Sequence, residues 1–210
     1  MSEPLKPNMA AATRPMTPRA IPERRAAAND RSMTDCFDSD PPVGLVSTWA
    51  GTLARAWPMP RALDVAMGRG RHALQLAELG YRVFGVDARL DAVLAAVREA
   101  ARRSLVVRGW CADLTASPLP PSRFELVVVA RYLQRDLFAA IRNTVVEGGV
   151  VIYETFTWHQ RAHGVGPTSP DHLLEPGELR RRFEGFEVMF YEEVTAPEAV
   201  ARIVARRRSA

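Results

Sequence analysis

Cysteine is nearly missing: the 210 residues carry two, Cys36 and Cys111. Two thiols build no disulfide framework and show no metal-ligand spacing, so a reducing, cytoplasmic setting without a bound metal is expected. Lysine is scarcer still, with Lys6 alone. Long apolar runs are also missing. Stretches such as Leu126-Val127-Val128-Val129-Ala130 fall far short of the ~20 residues of a membrane-spanning helix. The first 42 residues contain no apolar core of a secretory signal. Prolines and the acids Glu23, Asp30, Asp35, Asp38 and Asp40 also argue against a transit peptide there.

A basic face is missing too. The formal net charge is +4. Residues 1–42 hold six basic and six acidic side chains, and residues 43–205 hold 19 and 18. The rest of the excess is Arg206-Arg207-Arg208, read as a basic tail over 206–210. Such a charge distribution argues against nucleic acid as a partner.

The chain has enough length for one domain with one sizeable core. Residues 1–42 hold seven of the 16 prolines and no hydrophobic period; they are expected to be a disordered extension. Translation from Met33 is a further expectation, which a natural peptide from residues 1–32 would refute. From Val43 to Ala205 the pattern is regular. Apolar residues recur at helical spacing over 45–57, where Pro58 and Pro60 stop them. Then strands over 62–67, 81–86, 105–110, 125–130 and 150–156 alternate with helices over 71–79, 90–103 and 136–146. Gly148-Gly149 is expected to close the last of these. Residues 157–175 read as a long loop and Pro176 to Phe183 as a short helix; 186–191 and 200–205 read as a closing strand pair. This alternation predicts an α/β, Rossmann-like sheet of seven strands, mostly parallel, with one antiparallel edge strand and helices on both faces.

Chemistry concentrates in Asp64-Val65-Ala66-Met67-Gly68-Arg69-Gly70-Arg71-His72, between a strand and a helix. Gly68 and Gly70 permit close backbone approach, and the helix start offers free N–H groups to an anion. Nineteen residues after Gly68, the second strand ends at Asp87, suited to two ribose hydroxyls. The third ends at Ala112-Asp113, where an acid accepts from an exocyclic amine. Carboxyl ends of parallel strands line the ligand crevice in such sheets.

These residues resemble the first motif and the following acids of the class I S-adenosylmethionine-dependent methyltransferases. The likeness continues in Phe124-Glu125-Leu126-Val127-Val128-Val129 and Gly148-Gly149-Val150-Val151-Ile152, and covers about residues 45–205. Val151 to Phe156 and Leu173 to Leu179 look like small bacterial members of the tellurite-resistance-like type. The resemblance implies S-adenosylmethionine as cofactor and a small-molecule methyl acceptor. It assigns the cofactor to Asp64, Ala66, Gly68, Gly70, Asp87, Ala112 and Asp113. It places Arg131, Tyr132 and, in the loop after the fifth strand, His159 on the acceptor side as catalytic candidates. His163 of the same loop is a second candidate base, and the helix over 45–57 is expected to cover this side.

Two positions depart from the family pattern. Ala66 replaces the first glycine. Ala130-Arg131-Tyr132-Leu133 stands where amino-methylating branches carry Asn/Asp-Pro-Pro-Tyr. Other readings stay open at this stage: a cofactor-binding scaffold without catalysis, and a methyltransferase for RNA or protein. Gly68-x-Gly70-x-x-Ala73 with Asp87 also fits a dinucleotide site. Against that one, Asp64 would repel a pyrophosphate and suits an ammonium.

Overall fold

The computed structural model describes residues 43–117 and 119–209. The expected N-terminal extension and the Met33 start lie outside these residues. Seven strands form one sheet in the order β3-β2-β1-β4-β5-β7-β6. They are β1 (Arg61–Val65), β2 (Arg82–Asp87), β3 (Val107–Cys111), β4 (Phe124–Ala130), β5 (Val145–Phe156), β6 (Phe186–Val194) and β7 (Val200–Arg207). The helices are α1 (Gly44–Ala54), α2 (Arg71–Glu78), α3 (Leu90–Arg102), α4 (Phe138–Thr144) and α5 (Glu178–Arg182).

The sheet has two apolar faces because β4 and β5 are buried on both. On one face Ala62, Val83, Leu126, Val128 and Ile152 meet α1, α2 and α3. On the other, Leu63, Val127, Val129, Val151 and Tyr153 meet α4 and α5. This alternation along each strand follows from the period of two in side-chain direction. β1 pairs in parallel with β2 and β4, β2 with β3, and β4 with β5. Their carboxyl ends therefore lie together, with the turns that follow β1 and β4 side by side.

Five differences from the sequence reading follow from the sheet and its turns. The antiparallel strand is β7, and it lies between β5 and the outermost strand β6. Gly148 and Gly149 lie inside β5 rather than closing a helix. α4 stops at Thr144 because Val145 is extended and pairs with Phe124; the register then shifts before Leu126 meets Val150. Pro176 does not begin α5. Gly177 takes a left-handed φ of 70° as its cap, and its N–H donates to Glu193. Finally, Arg206 and Arg207 belong to β7. Arg207 donates to the carbonyl of Val145 at 2.6 Å, so the basic stretch is in part sheet.

Candidate active site

Asp64 is the fourth residue of β1 and points to the α1–α3 face. It is 1% exposed, and its Oδ2 accepts from the Ala73 N–H at 2.9 Å. That N–H belongs to the first turn of α2, whose cap, Gly70, provides no side chain. The carboxylate thus caps the helix from a neighbouring strand. Burial pushes its pKa up to about 7, against the lowering pull of the Ala73 N–H and the Arg71 charge. An ammonium placed here would relieve that cost.

The turn after β1 is left-handed at three points: φ is 54° at Ala66, 54° at Gly68 and 84° at Gly70. Alanine in that region carries strain of roughly 1 kcal/mol. At Gly70 a β-carbon would stand 2.7 Å from the Ala96 Cβ of α3. Gly70 is therefore needed for helix packing as well as for φ. Met67 anchors the turn from below. A β-carbon at Gly85 would fall 2.0 Å from its Sδ, and one at Gly109 would fall 3.1 Å from its Cε. Gly85 and Gly109 face each other across β2 and β3 and form the slot that Met67 fills. Sequence reasoning missed this pair; two glycines inside strands were its only signal.

Asp87, at the end of β2, accepts from the Gly68 N–H through Oδ2 and from the Arg89 N–H through Oδ1, each at 2.8 Å. A carboxylate has about four acceptor positions. Two remain, as two ribose hydroxyls require. Asp113 is exposed just past β3; its Oδ1 accepts from the N–H and hydroxyl of Thr115. Ala112 beside it is half-buried, and its N–H donates to the Asp87 carbonyl. The chemistry of this donor set fits S-adenosylmethionine: a buried acid and a backbone cradle at the end of β1 stand beside a half-satisfied acid at the end of β2.

The acceptor-side candidates part company. Arg131 has a left-handed φ of 57°, and its N–H donates to the Glu154 carbonyl at 2.8 Å. Its guanidinium meets the carboxylates of Glu154 and Glu198. The Tyr132 hydroxyl donates to Gln134, and its carbonyl accepts from the Tyr153 hydroxyl. Burial, with Asp113 and Asp87 nearby, pushes the Tyr132 pKa up to about 12. His159 is exposed on a short 3-10 turn over Trp158–His163, and no hydrogen bond among the described residues ties it to the strand ends. His163 contacts the Thr195 carbonyl and is held in that turn.

His72 has a role that sequence alone did not assign. Its Nε2 accepts from the Val43 N–H at 3.0 Å, joining the start of α1 to the start of α2. Burial, with the charges of Arg71 and Arg131, lowers its pKa to about 3, so the ring is neutral. The start of α1 thus sits at the crevice, while its far end reaches Trp57 beside Gly148. A cavity of about 280 Å³ lined by Leu53, Trp57, Tyr81 and Val150 opens near that far end, away from the acids. Among the described residues no cluster of His, Cys, Asp and Glu could hold a metal ion. No helix among them is long and apolar enough to cross a membrane.

Strand order, turn and acids together define the fold of the class I S-adenosylmethionine-dependent methyltransferases. Solved structures agree. TehB from Haemophilus influenzae superposes with a TM-score of 0.64 at 17% identity, covering 84% of this chain and 66% of TehB. An S-adenosylmethionine-dependent methyltransferase from Clostridium acetobutylicum gives 0.66 at 12%, covering 85% of this chain and 99% of its own. The [4+2]-cyclase SpnF gives 0.64 at 18%, covering 80% and 82%. Residues 62–149 match the family model described as a methyltransferase domain. Residues 62–149 thus match a methyltransferase domain, and the sheet around them has the fold of this class. No curated protein matches it by sequence.

Proposed function

We propose that the chain methylates a small molecule at the carboxyl ends of β4 and β5. The observation that carries this reading is the row of acids, Asp64, Asp87 and Asp113, at the ends of β1, β2 and β3. Their environments differ as the parts of one cofactor would require. When bound, S-adenosylmethionine supplies a methyl group already activated on sulfur. Asp64 orients the methionine ammonium. The turn through Gly68 and Gly70 lets the backbone approach. Asp87 holds the ribose, and Ala112 and Asp113 hold the adenine end. α1, pinned by His72, closes the crevice from water. Alignment of donor and acceptor then supplies most of the rate.

Tyr132 stays protonated at neutral pH and serves as a donor rather than a base. An acceptor that attacks through a neutral lone pair needs no base; for one that must lose a proton, His159 is the proposed recipient. The small-molecule class is supported by the charge balance over 43–205, 19 basic against 18 acidic. The reading also includes a cytoplasmic setting, supported by the low cysteine count.

Thermal unfolding with S-adenosylhomocysteine tests the cofactor site, with NAD as control. Ligand at ~100 times its dissociation constant stabilises by about 2.7 kcal/mol. The melting temperature should rise by roughly 5–10 °C. Asp87→Ala should remove the shift and leave the unliganded fold intact. A shift with NAD alone would replace this reading with a dinucleotide enzyme.

A further inference from the structure

Arg131 sits where an acceptor must lie, on the turn after β4, with a backbone held by the Glu154 carbonyl. Its guanidinium lies over the Phe156 ring, 4.7 Å from the centroid. Nη2 reaches the Glu198 Oε2 at 2.5 Å. Nη1 is buried and has no hydrogen-bond partner among the described residues. A buried donor left unmade costs free energy, so this one expects an oxygen.

Glu154 does not consume the guanidinium. It is 2% exposed, and its Oε2 accepts from Arg202 Nε at 2.6 Å. Its other oxygen stands 3.3 Å from Arg131 Nη2, yet receives no hydrogen bond from the described residues. Glu198 differs in kind. Its side chain is 40% exposed and lies on the turn between β6 and β7. The backbone of that turn is fixed by the Ala199 N–H donating to Gln160 at 2.7 Å. The Glu198 side chain can leave while the turn stays.

We propose that Arg131 anchors an acidic methyl acceptor, whose carboxylate lies end-on across Nη1 and Nη2 in place of the Glu198 carboxylate. The inference rests on the methyl-transfer reading and names its substrate class. One carboxylate replaces another, so the local charge balance is unchanged. The fork geometry of arginine suits this exchange, and the stacked Phe156 presets its plane. Glu198 then acts as a placeholder that keeps the arginine paired until the acceptor arrives.

Calorimetric titration of the full chain, saturated with S-adenosylhomocysteine, tests this with benzoate as probe and benzamide as neutral control. Benzoate should bind and benzamide should not. Arg131→Gln should weaken benzoate binding at least about tenfold while S-adenosylhomocysteine still binds. Arg131→Lys should recover only part of it. Glu198→Gln removes the competitor and should tighten benzoate binding several-fold. This second variant decides the matter if Arg131→Gln fails to fold. Benzoate binding indifferent to Glu198→Gln, or undiminished in Arg131→Gln, overturns the anchor alone. Failure of the parent to bind S-adenosylhomocysteine overturns the methyl-transfer reading and the anchor with it.

Discussion

Asp64 carries opposite demands in one carboxylate. Its folded pKa, about 7, lies above the ordinary carboxylate value because it is buried. A raised pKa means that its contribution to stability is full below the unfolded value and is lost as pH rises through 7. An ammonium beside it reverses this, since the charged form then gains a partner. Binding of S-adenosylhomocysteine should therefore release a proton below pH 7 and tighten as pH rises to about 7. Titration at pH 6.5 in buffers of different ionisation enthalpy reads that proton directly. Asp64→Asn should abolish the release and weaken binding at least about tenfold. The same variant should raise the stability of the unliganded protein at pH 8 by about 1–3 kcal/mol, as a strained functional group does when neutralised. Ala66 poses a smaller question. Its φ of 54° favours glycine. Ala66→Gly should stabilise by at most about 0.5 kcal/mol in chemical denaturation, the relief of strain slightly exceeding the added chain entropy.

At the level of elements, one neutral imidazole joins the starts of α1 and α2, and Gln75 donates to the Ser47 hydroxyl at 2.8 Å further along. The lowered pKa of His72 means that its contribution is fully present above pH 6.5 and is lost as pH falls toward 3. This slope is opposite to that of Asp64 over the same range. Acidification should therefore loosen the start of α1 while the β1–α2 junction firms. Hydrogen exchange should show early opening near residues 43–47 below pH 6, with α2 still protected. His72→Ala, which leaves the Val43 N–H unpaired, should give that opening at pH 7 and cost about 1–2 kcal/mol. A flat pH profile for these amides in the parent would refute the coupling. The loop after β5 has its own fastening. Glu178 is buried, yet hydrogen bonds from Arg135, the Glu175 N–H and Arg182 hold its pKa at about 2. Arg135 also donates to the Leu173 carbonyl at 2.9 Å, so α5 and the loop are tied together.

For the whole molecule, legibility follows the range of the interaction. The acids at strand ends were readable because each follows a β-branched or apolar run, and a parallel sheet brings such ends together. The slot of Gly85 and Gly109 under Met67 was not, because it depends on a register between two strands. The pairing of Arg131 with Glu198 joins residues 67 apart in sequence and needs the topology first. The place of β7 was hidden for the same reason. The closing pair reads as a hairpin, but nothing local says which member enters the sheet beside β5. Its position gives the last residues a weight that their composition conceals. Arg207 donates to the carbonyls of Val145 and Asn143 and to Ser122, where β4 and β5 begin. Arg206 pairs with Glu187 of β6. A chain ended at Ala205 loses these bonds and two ladder positions, and should lose about 2–3 kcal/mol, mostly from Arg207. Its melting temperature should fall by roughly 5–10 °C. A chain ended at Arg208 should melt with the parent. If both shortened chains melt alike, Arg206 and Arg207 act as the tail that their sequence suggests, and the extension of β7 contributes nothing to stability.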